Sequence, residues 1–254
     1  METEIKDILG QLKNMIEANR DMGLDPPPIS NEVLDYLNAK APERPVNPGR
    51  PERPVDSVRP DHPDSLEGLR AHIGDCRLCK LHKGRKNLVF GEGSPAARLV
   101  FVGEGPGRDE DRVGRPFVGV AGELLTDIIE KGMGLTREDV YICNVVKCHP
   151  PENRDPERDE IEACLPFLKQ QIRIIQPEVI CTLGRIASQE LLEKGIKITQ
   201  DRGKWYSFMD IPVMPTYHPA YVKRNRSRER ELKGHVWEDI KKIMKRLGLE
   251  VKKR

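Results

Sequence analysis

The chain has 254 residues, of which 37% are hydrophobic and 33% are charged, and its net charge is +2. This length allows one large domain with an appendage, and since no run of about 18 apolar residues occurs, no membrane span is expected. The N-terminus lacks a secretion signal, so we expect a cytoplasmic protein whose six cysteines are ligands, reactive groups or core residues rather than disulfides.

Residues 1–65 differ in composition from the rest of the chain and are expected to form an appendage to a main domain at 66–254. Apolar residues at helical spacing predict a short amphipathic helix over 3–20 and a second short helix over 31–38. Ten of the 21 prolines lie between Pro26 and Pro63, which is typical of an extended linker. A tethered helix docks on its own domain or on a protein partner, and both alternatives stay open.

Strands and helices alternate from Leu66 onward, a pattern that favours a mostly parallel sheet covered by helices on both faces. Four apolar runs are the predicted strands: 98–102, 140–146, 178–183 and 211–215. Helical stretches are predicted at 121–131, 157–175, 184–194 and 235–247. Functional residues are then expected on the loops that follow the strands.

The loop after the first of these strands is rich in glycine and acids. The run Leu99 to Val102 leads into three alternating glycines with Glu104 between the first two, and Glu110 and Phe117 follow. Glycine lets a backbone approach a ligand closely. The spacing, however, is neither that of a P-loop nor the full dinucleotide-binding fingerprint. On these residues alone, a ligand site and a surface turn are equally good interpretations.

Four cysteines form a second group of candidate functional residues. Cys76 and Cys79 make a Cys-x2-Cys pair, and Cys148 and Cys164 follow. Four thiolates hold zinc or an iron–sulfur cluster, and the spacing suits zinc at least as well as iron. The alternative is that Cys148 and Cys164 are ordinary buried residues and that only the pair has a special role. Two other cysteines lie inside apolar strands and are expected in the core: Cys143 and Cys181.

Several separate motifs together resemble the family 4, iron–sulfur uracil-DNA glycosylases. They are GEGPGRDEDRVGRPFVGVAGELL, NVVKCHPPENRDP, Cys164 and the YHPA of 217–220. The resemblance covers about residues 66–247. It implies a three-layer α/β/α fold with a central four-stranded, mostly parallel sheet, and the excision of uracil from DNA. It also implies a 4Fe–4S cluster whose ligands are Cys76, Cys79, Cys148 and Cys164.

Roles for individual residues also come from this resemblance. Asn144 corresponds to the amide that reads uracil, Phe117 to the aromatic ring that stacks on the extruded base, and Glu110 to a side chain that crowds a thymine methyl group. The implied catalytic residues are the turn that holds water and the histidine beside uracil O2: Glu104, Gly105 and His218.

Basic residues near these motifs are candidates for contacts to DNA phosphates. They are Lys223, Arg224 and Arg226 after the histidine, and Arg85 and Lys86 near the cysteines. The alternative for the first group is a solvated helix start, because acids intervene.

The expected partner is uracil-containing DNA, single- or double-stranded, and we expect a monomer near the nucleoid that binds no membrane. A protein partner of the N-terminal helix is the further expectation. The alternative function is a non-catalytic DNA-binding or replication-associated iron–sulfur protein on the same fold. A small electron carrier has only the cysteines in its favour.

Overall fold

The computed structural model describes residues 63–250. Apart from its last three residues, the appendage predicted at 1–65 lies outside this part, so its two helices and linker stay predictions. Within the described residues the strands are β1 (Glu92–Gly93), β2 (Leu99–Gly103), β3 (Tyr141–Asn144), β4 (Val179–Leu183), β5 (Tyr206–Phe208) and β6 (Ile211–Thr216). The α-helices are α1 (Leu66–Ile73), α2 (Arg108–Val113), α3 (Val120–Asp127), α4 (Arg158–Ile175), α5 (Arg185–Leu192), α6 (Ile198–Asp201), α7 (Pro219–Arg224) and α8 (Glu229–Arg246).

The six strands form one sheet in the order β1-β3-β2-β4-β6-β5. Its four inner strands are parallel and are the four predicted from the sequence. The two edge strands pair antiparallel and were not predicted. Since β1 has two residues and β5 has three, neither is long enough to show an alternating pattern. The prediction of a mostly parallel α/β sheet is confirmed, with these edges added.

Helices cover both faces of the sheet, which gives the predicted three layers. Val100 and Val102 of β2 pack with residues of α1, α4 and α5. Leu99 and Phe101, which alternate with them, pack with residues of α3, α7 and α8 on the other face. Because parallel strands are buried on both sides, they read as continuous apolar runs. Among the described helices, none is both long and apolar enough to cross a bilayer.

Two helices differ from their predicted bounds. The helix predicted over 121–131 is α-helical only as far as Asp127, where α3 ends. A π-helical segment, Ile128–Met133, continues it. Helix α8 begins at Glu229, several residues before the predicted start at 235. The prediction missed its first two turns because they are charged and bury only Leu232. Charged residues obscure the apolar spacing from which a helix is predicted.

The register of the sheet brings loops from different parts of the chain together at its carboxyl edge. Gly103 at the end of β2 lies beside Asn144 at the end of β3. Leu183 at the end of β4 lies beside Thr216 at the end of β6. The loops that follow these four residues meet above the sheet, where ligands bind in open α/β folds.

Candidate active site

A cavity of about 530 Å³ lies at this carboxyl edge. Most of the predicted site residues line it: Glu104, Gly105, Glu110, Phe117, Asn144, His218 and Arg224. Two predicted phosphate contacts lie outside it. Lys223 forms an ion pair with Glu229 at 3.4 Å, and Arg226 is exposed on the next turn. The structure therefore brings the proposed base-reading and catalytic residues together, and leaves two of the three basic residues beside the cavity.

Asn144 ends β3 with its side chain at the wall of the cavity. The residue is 1% exposed, and its Oδ1 has no hydrogen-bond partner. A Cβ atom on Gly103 would lie 2.3 Å from that Oδ1 and 2.6 Å from Cζ of Phe117. Only glycine at 103 therefore lets the amide and the aromatic ring come this close. An unpaired buried acceptor is costly, so Asn144 Oδ1 is suited to a donor on a ligand.

The backbone of Asn144 is fixed by a buried lysine. Lys147 Nζ donates to the carbonyl oxygen of Asn144 at 2.7 Å and to Oε1 of Gln171 at 2.6 Å. Gln171 in turn donates from Nε2 to the Phe90 carbonyl and to the hydroxyl of Tyr141. Burial lowers the pKa of Lys147. This network satisfies the polar groups beneath the cavity and holds the end of β3 in place.

The Phe117 ring is buried at 6% exposure and forms another wall. The carboxylate of Glu110 holds the backbone on either side of α2: Oε1 accepts from the amides of Val118 and Gly119 at 3.0 and 3.1 Å, and Oε2 accepts from Gly107 at 3.1 Å. With three backbone donors fixing it, the Glu110 side chain is a rigid part of the cavity wall.

His218 precedes α7 and caps it. Its Nδ1 accepts a hydrogen bond from the Ala220 amide at 3.1 Å, which leaves Nε2 to carry the ring proton. Burial, and secondarily the charge of Arg224, lowers the pKa of His218 to about 4. At neutral pH the ring is therefore an uncharged donor. Gly184 makes room for it, since a Cβ there would lie 2.9 Å from Cβ of His218.

The carboxyl group of Glu104 has a strongly shifted pKa. Burial, with a contribution from Asp155, raises its pKa to about 7, while Arg185 and Arg224 oppose the shift. A group with this pKa changes charge near neutral pH.

An ion pair at the cavity was not predicted from the sequence: Arg185 Nη2 lies 2.6 Å from Asp155 Oδ2. Both residues had a signal: Asp155 lies in the segment that begins at Asn144, and Arg185 directly follows a predicted strand and Gly184.

The four predicted cysteine ligands line one small cavity away from this site. Arg85 Nη1 donates to the Sγ of Cys148 at 3.1 Å, and the Lys147 amide donates to the Sγ of Cys164 at 3.3 Å. Burial raises the pKa of the Cys164 thiol to about 12, so its thiolate needs a nearby cation. Within residues 63–250, no group of three or more His, Cys, Asp or Glu converges on a single metal ion. The four-thiol set and its N–H donors fit a cluster.

Two other predictions about this region have clear outcomes. The expectation that Arg85 contacts phosphate is wrong: its side chain is 7% exposed and binds Asp75 and Cys148. Cys143 and Cys181 are buried in the sheet, as predicted.

Comparison with known proteins agrees with this architecture. The family model described as the uracil DNA glycosylase superfamily matches residues 90–241. The type-4 uracil-DNA glycosylase of Sulfurisphaera tokodaii is 50% identical over 71% of this chain and 84% of its own. The type-4 uracil-DNA glycosylase of Thermotoga maritima is 49% identical over 70% of this chain and 92% of its own. A type-5 enzyme of Pyrobaculum aerophilum is 28% identical over 52% and 65%.

The fold and the matched domain define a member of the uracil-DNA glycosylase superfamily. The sequence identity to the two type-4 enzymes is about one half, over most of the length of both chains in each comparison. Within the superfamily, the chain belongs to the type-4 uracil-DNA glycosylases.

Proposed function

We propose that the protein rotates uracil out of DNA and hydrolyses its N-glycosidic bond, leaving an abasic site for base excision repair. A base inside a duplex is out of reach of any active site and must be extruded, at a cost of a few kcal/mol. The observation that carries the proposal is the unpaired Oδ1 of Asn144, buried at the wall of a cavity large enough for a base.

Asn144 reads the edge that distinguishes uracil from cytosine. Its Nδ2 donates to uracil O4, and its Oδ1 accepts from N3–H. Cytosine has a donor and an acceptor in the opposite places, so both groups of a fixed amide would be left unpaired. Sites of this kind reject the wrong ligand strongly, because unpaired buried polar groups are costly. The burial of Asn144 and the Lys147 bond to its backbone support a fixed amide.

Phe117 stacks on the extruded base. Such stacking contributes about 1–3 kcal/mol and offsets part of the cost of extrusion. Glu110 crowds the space beside the base where thymine carries its methyl group. The three backbone donors that hold its carboxylate support this role, because a fixed side chain cannot move aside.

His218 stabilises the charge that develops on O2 of the departing uracil. A neutral imidazole with its proton on Nε2 is suited to this role, since it donates a hydrogen bond without adding a cation to the cavity. Glu104 and the backbone of Gly105 orient the water that adds to the sugar. Orientation is sufficient, because an oxocarbenium-like sugar needs little help from a base.

Arg224, Lys223 and Arg226 contact the phosphates that flank the extruded nucleotide. Arg224 is at the cavity and the other two continue the basic surface beside it. Such contacts position the strand without reading its sequence. The substrate is single- or double-stranded DNA, and the enzyme acts as a monomer at the nucleoid in the cytoplasm. The segment of 3–20, for which the sequence predicts a helix, recruits a protein partner.

A 4Fe–4S cluster is held by Cys76, Cys79, Cys148 and Cys164. The cavity that all four line and the N–H donors to two of their sulfurs support this assignment. When bound, the cluster would tie the loop after α1 to the loop after β3 and to α4, and its role is structural.

The test is an incubation with single- and double-stranded oligonucleotides that contain one uracil, followed by alkali, which cleaves abasic sites. Matched oligonucleotides with thymine or cytosine at that position are the control. We expect strand scission at uracil alone. Binding without scission would refute the proposal and favour the non-catalytic DNA-binding protein.

A further inference from the structure

Phe117 has a backbone conformation that needs external support. Its φ is 52°, in the left-handed region that bulky residues rarely occupy. Conformations of this kind persist only where the surrounding structure holds them. Gly122 leaves room for this conformation, since a Cβ atom on residue 122 would lie 2.0 Å from the carbonyl oxygen of Phe117.

One guanidinium group binds both peptide units that flank Phe117. Arg137 Nη2 donates to the Pro116 carbonyl at 2.7 Å, and Nη1 donates to the Phe117 carbonyl at 3.1 Å. Nη1 also donates to Oγ1 of Thr126 in α3 at 2.9 Å. Because the orientation of those two peptide units sets φ and ψ of Phe117, Arg137 determines where the ring lies.

The guanidinium group of Arg137 is itself held in place by the carboxylate of Glu92. Nε of Arg137 donates to Oε1 of Glu92 in β1 at 3.0 Å, and the Arg137 side chain is only 13% exposed. A planar, multidentate donor of this kind is pre-organised, which an ammonium group is not. On the other side of the loop, Glu110 binds the amides of Val118 and Gly119. The segment from 116 to 119 is thus held through its carbonyls by Arg137 and through its amides by Glu110.

We propose that Arg137 is a positioning residue for base excision, which acts by holding Phe117 where the extruded base stacks. The inference rests on the proposed function, because it takes the stacking role of Phe117 from there. Arg137 does not line the cavity, so its effect on excision must pass through the Phe117 loop.

A double-mutant cycle tests this. The full-length wild type, Arg137→Ala, Phe117→Ala and the double variant are compared by kcat/KM on a single-stranded uracil oligonucleotide. We expect Arg137→Ala to lose about tenfold or more, the usual effect of removing hydrogen bonds from a charged donor. In the Phe117→Ala background the same change should have no further effect, since residues that act as a unit are not additive.

Arg115→Ala is the matched control. Arg115 binds the same Glu92, at 2.6 Å, but its side chain is 58% exposed and it donates to no carbonyl of the loop. This variant should keep excision within about twofold of the wild type, as expected for an exposed ion pair. A loss equal to that of Arg137→Ala would mean that the charge of Glu92, rather than the loop, is responsible, and would overturn the proposal.

The remaining outcomes are equally clear. The inference is overturned if Arg137→Ala keeps full activity, or if it loses the same activity with and without the Phe117 ring. In both cases the proposed function stands as long as the wild type excises uracil. A wild type that excises no uracil overturns both. If Arg137→Ala does not fold, Arg137→Lys carries the same cycle, because it keeps the charge and loses the two-carbonyl contact. Its loss must then depend on the Phe117 ring.

Discussion

The ring of Phe117 lies 5.7 Å from the ring of His218, centroid to centroid, with the two planes tilted by 32°. A base that stacks on Phe117 is therefore brought beside the histidine in the same movement. Asn144 lies close to Phe117 across Gly103, so the amide that we propose reads the base edge borders the same space. Under the proposed function, recognition and bond cleavage use this one cavity, so removing one wall should affect chemistry as well as binding.

Replacing His218 by Ala should lower kcat more than it changes KM. One positioned donor to a developing oxyanion contributes about 2.7–4 kcal/mol, which corresponds to about 100- to 1000-fold in rate. Single-turnover excision of uracil measures this, with the melting temperature as a check on folding. A folded variant with wild-type kcat would exclude His218 from the reaction.

The pH dependence of excision should report Glu104 and not His218. Because the pKa of Glu104 is raised to about 7, kcat/KM should rise as pH increases from 6 to 8 if its carboxylate orients water. His218, with a pKa of about 4, stays neutral throughout that range. Glu104→Gln should lower the rate and abolish the rise, whereas an unchanged pH profile in this variant would assign it to another group.

The raised pKa of Glu104 should also make the stability of the protein depend on pH. The pKa of Glu104 is higher in the folded protein than its ordinary value of 4.5, so its contribution to stability is present below pH 4.5 and is lost as pH rises through 7. Glu104→Gln should therefore stabilise the protein by about 3 kcal/mol at pH 8 and have little effect at pH 4.5. Denaturant unfolding at the two pH values measures the difference. Equal effects at both would contradict the assigned pKa.

Cys148→Ala should lose the brown absorbance of an iron–sulfur cluster and most of the soluble yield. The variant removes one of the four proposed ligands from a cavity lined by the loop after α1, the loop after β3 and α4. Cys143→Ala is the matched control: Cys143 is also buried but lies inside β3, outside the proposed ligand set, so this variant should retain iron and sulfide. A colourless, equally stable wild type that contains zinc would contradict the cluster assignment.

The parallel strands and the site motifs could be predicted because their signals are local. β2 and β4 are continuous apolar runs, and the glycines and acids after β2 mark its end. Asn144 is the last residue of β3 and His218 lies two residues after β6. With the family resemblance, these positions were enough to predict a site at the carboxyl edge. The edge strands β1 and β5 carry too few residues for such a signal.

What supports the site could not be read from the sequence, because it depends on contacts between distant segments. Arg137 lies 20 residues after Phe117 and 45 after Glu92, and neither spacing has a local meaning. The positive φ of Phe117 could not be predicted either, since a bulky residue is expected to have a negative φ. Arg85 was misassigned to phosphate because its burial against Cys148 is a tertiary contact.

The proposed function depends on the amide of Asn144 reading the base, and the substitution Asn144→Asp tests this role. Release of uracil and of cytosine from otherwise identical oligonucleotides is measured for the wild type and the variant. The wild type should release uracil alone. The variant should lose uracil excision, or lose the preference for uracil over cytosine by about 100-fold or more, because an aspartate accepts from N3–H but repels O4. A folded variant with unchanged uracil excision and unchanged discrimination would contradict the account.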